Sequence, residues 1–425
     1  MRISRTFQLP HAERSGFEAA LSEEERAIVE TMHRFARDVM RPAAAALDRM
    51  TATDVISAQS ALWTVYAKFV ELGLDATMFD ALEPAAAARL EALVMEELGW
   101  GDAGLAVSLA VASFPAQVAA ASGKPELIEL TRGKIGCWPI TQPDRGCDFI
   151  DLYNVERHAG ARPGSDNLIA RFNDDGITIS GQTSAWVSNG PVAQVAALCC
   201  PADYGTGVLR PDGIRNMAVI IVPLDLPGVS RGNALEKLGQ LALPQGEIFF
   251  DSVTVPRGYA VASGEEGIAG FYSILAVAGT FMSQCFTGLA RAAFEHALAY
   301  AHERKQGGVP IIQHQSVRWR LAAMYQKVEA ARAMARRASY YLRAAPQPHP
   351  SVSSMSKAFV TQAAFEVADQ AVQLFGGNGL TREYPVEKLF RDAKTALVED
   401  GENFFLTLKL GQVLSDLHRT GWSQP

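Results

Sequence analysis

The sequence predicts a mostly α-helical protein with a central β-domain. An N-terminal helical domain covers residues 1–132, a middle β-barrel or sandwich covers 133–265, and a C-terminal four-helix bundle covers 266–425. Three observations predict this. Apolar residues recur at helical spacing up to about residue 132. Between Ile135 and Val261 the texture changes to short β-branched runs punctuated by Gly, Pro, Asp and Asn. After Gly264 long helical periods return. No internal repeat and no low-complexity tract interrupts the pattern.

Taken in order, Ser22 and Glu25 form an S-x-x-E capping box. Ile28, Met32, Phe35, Ala36 and Val39 follow on one helical face, and Pro42 is expected to end that helix near Met40. Further helices are expected over 56–72, 84–99 and 102–121, with Gly73, Gly99 and Gly123 as breakers. Residues 177–180, 195–198, 218–222 and 247–250 read as strands, and 156–167 and 202–216 as surface loops. The bundle helices are expected over 289–303, 316–342, 352–375 and from 402 onward. In the second of these, Val317, Leu321, Met324, Val328, Ala331, Ala335, Ala338 and Leu342 track one face.

Composition narrows the function classes. The chain is 48% hydrophobic and 20% charged, an ordinary globular balance. Net charge is −7 with no block of Lys or Arg, so there is no nucleic-acid footprint. Five cysteines show no CxxC or His-partnered spacing; reduced thiols in a cytoplasmic setting and no metal site are expected. Residues 1–20 contain Arg2, Arg5 and Arg14 but no apolar h-region, so they are read as a loosely docked arm and not as a secretory signal. The absence of a run of about 18 apolar residues predicts no membrane span.

The most informative stretch lies near the C-terminus. The helical period ending at Phe375 runs into Gly376-Gly377-Asn378-Gly379, where glycines permit positive φ or a close backbone approach. Arg391-Asp392-Ala393-Lys394 follows, then Glu399-Asp400-Gly401-Glu402-Asn403 at the start of a last helix. Upstream lie Trp138-Pro139-Ile140-Thr141-Gln142-Pro143-Asp144-Arg145-Gly146-Cys147-Asp148 and Gly181-Gln182-Thr183-Ser184-Ala185-Trp186-Val187-Ser188-Asn189. The first is a strand ending in a Pro-containing turn, whose amides and Thr141 hydroxyl can hydrogen-bond a ring edge. Between these segments and the C-terminal motifs sits Arg304, followed by Gln313-His314-Gln315-Ser316-Val317.

In this order and spacing the segments resemble the acyl-CoA dehydrogenase superfamily of flavoproteins, over roughly residues 22–410. The resemblance implies bound FAD and an N-terminal domain that also lines the acyl pocket. Trp138, Ile140, Thr141, Cys147, Trp186 and Ser188 become flavin contacts. Arg304, Gln315, Gln373, Gly376 and Gly377 reach the FAD of a neighbouring subunit, so the site needs a homodimer or homotetramer. The implied reaction belongs to fatty acid metabolism: a carboxylate removes an α-proton and hydride passes to flavin N5. Asp400 falls at the base position, with Glu399 as the fallback if the register slips by one. Electron-transfer flavoprotein and oxygen are both candidate electron acceptors.

Several positions depart from the family pattern. Gln142 replaces an acid, Cys147 a serine and Gly307 an aromatic. The Asp-x-x-Arg that touches CoA in many members reads Ala276 and Gly279, and the alternative base position reads Ala278. Asp400-Gly401-Glu402-Asn403 and the loop from Gly307 to Val317 look like nitroalkane oxidase, a member that uses no CoA, although Thr407 and Ala278 lack the partners expected there. Three readings follow: α,β-dehydrogenation of an acyl-CoA thioester, a CoA-independent oxidation of a small acid or nitro compound, or a non-catalytic flavin-binding subunit of a hetero-oligomer.

Overall fold

The computed structural model describes residues 21–73, 79, 82–151 and 166–420. The arm at 1–20 and most of the loop expected at 156–167 lie outside the described residues.

The N-terminal helices are α1 (Glu23–Phe35), α2 (Arg41–Leu47), α3 (Ala52–Val55), α4 (Ala61–Glu71), α5 (Pro84–Gly101), α6 (Ala103–Ser122) and α7 (Pro125–Thr131). The Ser22/Glu25 box caps α1 reciprocally. Pro42 does not end the helix as expected. A π-helical turn, Ala36–Met40, widens the backbone just before Pro42, and the helix continues through it into α2. The helix expected over 56–72 starts later, at Ala61, after a turn over 56–60; Ser60 caps it, accepting from the Leu62 amide.

The middle region holds β1 (Gly136–Cys137), β2 (Ile169–Asn173), β3 (Gly176–Gln182), β4 (Val195–Asp203), β5 (Met217–Pro223), β6 (Val229–Arg231), β7 (Ile248–Val255) and β8 (Ala260–Ala262). They form one eight-stranded mixed sheet in the order β6-β7-β3-β2-β4-β5-β8, with β1 beside β4. Among the described residues the path does not close: β6 and β8 end it unpaired with each other, so the barrel alternative gives way to an open, folded-over sheet. Only a two-residue parallel pairing, Ala170 with Ala202 and Arg171 with Asp203, joins its halves. The four strands expected from sequence are present, with β4 and β7 extended and with β2 and the short β1, β6 and β8 added.

Period-two alternation explains why β4 and β5 are buried on both faces. Ala196, Leu198, Cys200, Ala218, Ile220 and Val222 point between the two halves of the sheet. Val195, Ala197, Cys199, Val219 and Ile221 point outward onto Phe114 of α6, Leu127 of α7 and Phe271 of the first bundle helix.

The bundle comprises α8 (Glu265–Glu303), α9 (Gln315–Ala344), α10 (Pro350–Phe375) and α12 (Asn403–Thr420), with the shorter α11 (Val386–Ala396) crossing before the last. The first helix is longer than expected: it runs unbroken for 39 residues from Glu265, because Gly267, Gly270, Gly279 and Gly288 are each absorbed by a close neighbour. The contact of α8 with α5 shows this most plainly. A Cβ on Gly288 would lie 2.0 Å from the Glu96 carbonyl oxygen, and one on Gly99 would lie 1.9 Å from that of Cys285. Only glycine on both helices permits this crossing. One hydrophobic core therefore runs from α1 and α5 through α8 to α9 and α10.

Two helices, Ala103–Ser122 and Glu265–Glu303, are apolar and long enough to cross a membrane by length and composition. Each is 56% buried within the protein over its most apolar stretch, as core helices are. All five cysteines are free; four are buried and Cys147 is half-buried.

Candidate functional site

A large cavity of about 1890 Å³ opens where α4–α6, the sheet and the bundle meet. Trp138, Ile140, Thr141, Cys147, Trp186, Ser188, Glu399 and Asp400 all line it. The structure thus gathers sequence segments some 260 residues apart into one wall.

The acid turn is built from below. Thr395 and Leu397 end α11, and the chain reverses through Asp400, which holds φ of 49°, a left-handed conformation uncommon for a side-chain-bearing residue. Lys357, fully buried on α10, fixes the turn: its Nζ donates to the Gly401 carbonyl at 2.7 Å and to Asn403 Oδ1 at 2.9 Å. Asn403 Nδ2 donates in turn to the Ala358 carbonyl and to Thr361. On the other side the Glu402 amide donates to Cys147 Sγ at 3.2 Å. The residue that replaces the family serine therefore serves the acid turn as an acceptor, a role that does not depend on the thiol as a donor.

The two carboxylates of the turn differ. Glu399 Oε2 accepts from Gln240 Nε2 at 2.7 Å. Burial raises the Glu399 carboxyl to about 7, with the Lys237 charge and the Gln240 bond opposing and Asp400 adding to the rise. Burial also raises Asp400 above the ordinary carboxylate range, and the Lys357 ammonium limits the rise. Among the described residues no hydrogen bond occupies the Asp400 side chain, and Asp400 lines a second, smaller cavity of about 60 Å³ together with Lys357, Tyr272 and Lys409. Burial lowers Lys357 to about 8, with Asp400 and Glu399 holding it up.

The flavin-type segments sit on the same cavity wall. Thr141 Oγ1 and Ser184 Oγ share a hydrogen bond of 2.5 Å, and the Ser184 amide donates to the Thr141 carbonyl at 2.8 Å, tying the two segments together. Gln142 explains its own departure from the family acid. It is buried, accepts from the Asn167 and Leu168 amides and donates to the Leu168 carbonyl, which pins the start of β2 to this turn. Ser188 Oγ accepts from Gln245 Nε2 at 3.2 Å. Trp186 faces the cavity with 62% of its surface exposed, a large flat ring with nothing on it. Trp138 is a different case: its indole is buried on Phe114 and its N–H is already given to Cys199 Sγ, so it backs the wall and has no polar handle to offer. Hydroxyls and amides on one edge, an uncovered indole beside them and the available volume fit an isoalloxazine ring held by Thr141, Ser184, Trp186 and Ser188.

Arg304, Gln315, Gln373, Gly376 and Gly377 are not on this wall. All five are exposed, clustered around the end of α8, the start of α9 and the end of α10. Gly307, which stands where an aromatic was expected, and Gly308 form the two-residue turn of a hairpin between Lys305–Gln306 and Val309–Pro310, with φ of 62° and 83°. Two successive positive φ angles call for this Gly-Gly pair. The handle positions are also closed. A Cβ on Gly279 would lie 2.6 Å from Ser353 Oγ, which already donates to the Ala276 carbonyl.

Sequence reasoning missed three polar groups packed around the acid turn. Lys357 looks like any helix lysine, and Lys237 and Gln240 belong to a loop some 160 residues before the acid turn. The Arg391-Asp392 pair locates that loop. Arg391 grips Asp48 and Glu387 and donates to the Leu238 carbonyl, while Asp392 accepts from the Gln240 amide and from Lys388. The motif is a clamp that holds the 237–240 loop against the turn.

Lys357→Met should leave Asp400 without its neighbouring cation. A carboxylate that serves as a base must be ionised to act, so with Asp400 in that role the apparent pKa in kcat/KM should rise and the acid limb of the profile should move to higher pH; an unmoved limb would speak against that role or against the influence of Lys357 on it.

Two family models match the chain: acyl-CoA dehydrogenase, N-terminal domain, over residues 22–129, and acyl-CoA dehydrogenase, C-terminal domain, over residues 270–414. Benzylmalonyl-CoA dehydrogenase of Aromatoleum aromaticum is 28% identical over 93% of this chain and 99% of its own. Cyclohexane-1-carbonyl-CoA dehydrogenase of Geobacter metallireducens is 29% identical over 90% and 95%. Among solved structures, glutaryl-CoA dehydrogenase from Mycobacterium smegmatis superimposes with a TM-score of 0.78 at 24% identity, covering 94% of this chain and 96% of that one. Butyryl-CoA dehydrogenase from Megasphaera elsdenii gives 0.77 at 24%, covering 94% and 100%. With both family models placed on the helical regions that flank the sheet, and relatives matched over nearly their whole length, the chain belongs to the acyl-CoA dehydrogenase superfamily and is an FAD-dependent oxidoreductase.

Proposed function

We propose that the chain dehydrogenates an acyl-CoA thioester between Cα and Cβ, with Asp400 as the base. The observation that carries this reading is the contrast within the acid turn: Glu399 is held by Gln240, whereas Asp400 faces the cavity with no hydrogen bond among the described residues. Its carboxylate takes the α-proton, and the electron pair of that C–H bond becomes the new double bond as hydride leaves the β-carbon. FAD, when bound, supplies the hydride acceptor. Burial makes Asp400 a stronger base than a solvated aspartate, and Lys357, Asn403 and Cys147 keep it in place. Tyr66, Phe69, Leu98, Val107 and Phe114 give the far end of the cavity an apolar wall suited to a bulky acyl group. The cyclic and benzyl acyl groups in the relatives' names belong first in a substrate panel.

A second reading, a CoA-free substrate, is favoured by Ala276 and Gly279 at the CoA-handle positions, with the Ser353 hydroxyl 2.6 Å from where a Cβ on Gly279 would lie. Anaerobic stopped-flow separates the readings. Bleaching of the flavin by acyl-CoAs supports dehydrogenation, bleaching by nitroalkanes alone moves the assignment to a CoA-free reaction, and no bleaching by either class leaves a flavin-binding subunit.

A second copy of the chain completes the cofactor site in this reading. The exposed Arg304, Gln315, Gln373, Gly376 and Gly377 would reach the FAD of the neighbouring protomer in a homodimer or homotetramer. Arg304→Ala should weaken FAD binding by about 2 kcal/mol, the loss of a charge-assisted pair to phosphate. Titration of apoprotein with FAD, read by flavin fluorescence, checks this, and light scattering checks the assembly: a monomer that holds FAD as tightly as wild type would overturn the shared site.

A further inference from the structure

Two polar side chains of the 237–245 loop, Lys237 and Gln245, stand on the cavity wall without a role in proton abstraction. Lys237 Nζ donates to the Leu243 carbonyl at 2.7 Å and to Gln245 Oε1 at 2.7 Å. Gln245 is buried, and its other end donates to Ser188 Oγ at 3.2 Å. Lys237, Gln245 and Ser188 all line the large cavity. An ammonium group thus stands two hydrogen bonds from the hydroxyl read above as a flavin contact. The loop that carries it is not free to swing. Asp392 holds the Gln240 amide at 2.5 Å, and a Cβ on Gly239 would lie 2.4 Å from the Arg391 carbonyl oxygen. The Leu243 amide closes onto the Gln240 carbonyl at 2.9 Å.

We propose that Lys237 is a positioning and charge-setting residue for the flavin ring, acting through Gln245 on Ser188 and favouring the cofactor after it has accepted hydride. The inference rests on the reading of Ser188 as a flavin contact. Its physical basis is simple. Hydride acceptance adds negative charge to the ring, and a fixed cation in a partly desolvated wall stabilises that form more than the oxidised one. Gln245 gives the effect a direction. Its Oε1 is committed to Lys237, so its Nε2 must point at Ser188, and the serine hydroxyl is then turned with its own proton toward the cavity. Lys237 carries its charge at neutral pH: burial lowers the ammonium to about 8, and the carboxylates of Glu399 and Asp392 hold it up. Nothing in this arrangement removes a proton from substrate, so its signature is in the cofactor's reduction equilibrium and not in the α-proton step.

The test is the ratio of reduced to oxidised flavin in the FAD-loaded protein, equilibrated against a redox dye of known potential. Lys237→Met should lower that ratio about tenfold at a fixed dye potential, which is about 30 mV for a two-electron couple. Lys237→Arg, which keeps the charge, should stay within about twofold of wild type. Gln245→Leu keeps the ammonium but cuts its link to Ser188, and should lower the ratio at least threefold; it decides the matter alone if Lys237→Met does not fold. A wild-type chain that takes up no FAD would overturn both this assignment and the proposed function. A yellow wild type with Lys237→Met and Gln245→Leu both at the wild-type ratio would overturn the Lys237 assignment alone.

Discussion

Asp400→Asn is expected to keep the fold and the bound FAD while losing roughly 10²–10⁴-fold in turnover, the range for removing a general base. The amide is nearly isosteric, and no hydrogen bond among the described residues depends on the carboxylate, so the loss should fall on kcat with little change in melting temperature. Rapid-mixing reduction of the flavin by an accepted substrate reads the chemical step directly. Asp400→Glu separates the substrate readings. The positive φ at Asp400 fixes where the side chain starts, so an added methylene pushes the carboxylate further into the cavity. An acyl-CoA lying where the family's longer glutamate would meet it should be dehydrogenated as well as before or faster. A smaller, CoA-free substrate should lose rate to the crowding. Should Glu399→Gln be inactive while Asp400→Asn turns over like wild type, the base is Glu399 and the reading of the turn is wrong by one residue.

Much of the architecture was legible because it depends on local signals. The Ser22/Glu25 box, the helical periods and the alternating β4 and β5 are set by neighbours within a few residues, and they stand where the pattern places them. The departures arise where distant packing overrules a local signal. Pro42 reads as a terminator, but a π turn lets the helix continue. The bundle's first helix is expected only from 289, but α8 starts at Glu265, its glycines at 267 and 288 fitted against neighbouring backbone. Closure of a barrel depends on whether the first and last strands of the path meet, and no period in the sequence encodes that. The site divides in the same way. Asp400, Thr141, Trp186 and Ser188 belong to contiguous motifs and could be named from the sequence. Lys357, carried to the acid turn by α10, and the Lys237–Gln240–Gln245 set, whose loop the Arg391-Asp392 clamp holds, are single polar residues, and nothing about their local spacing marks them.

The largest stability effect is expected at the junction of α5, α8 and α9, where charges are buried with no solvent to screen them. Glu96 is fully enclosed. It accepts from Arg291 at 3.0 Å, from Arg332 at 2.9 Å and from Arg336 at 3.4 Å, while Glu97 accepts from Arg291 at 2.8 Å and pairs with His33 at 2.8 Å. Burial alone would raise the Glu96 carboxyl, but Arg332 and Arg291 outweigh it and hold it at about 2. Replacing Glu96 by Gln removes the charge that Arg291, Arg332 and Arg336 share, leaving Glu97 and Glu295 on Arg291 and Glu329 on Arg332 to balance three guanidinium groups. The expected loss is about 3–5 kcal/mol, the range for breaking a buried pair from one side. Glu129→Gln is the control, since the Glu129–Arg132 pair is 70% and 68% exposed and its loss should cost no more than about 1 kcal/mol. Chemical denaturation at fixed FAD and protein concentration reads both. The pH dependence has a definite sign. A carboxylate whose folded-state pKa lies below its unfolded value of 4.5 stabilises the protein above that value and loses the contribution as pH falls toward 2. Wild-type stability should therefore fall steeply below about pH 4.5, and Glu96→Gln should show a shallower fall over the same window. Equal slopes in the two proteins would mean that the cluster is not the source of the acid sensitivity, whatever the size of the loss at neutral pH.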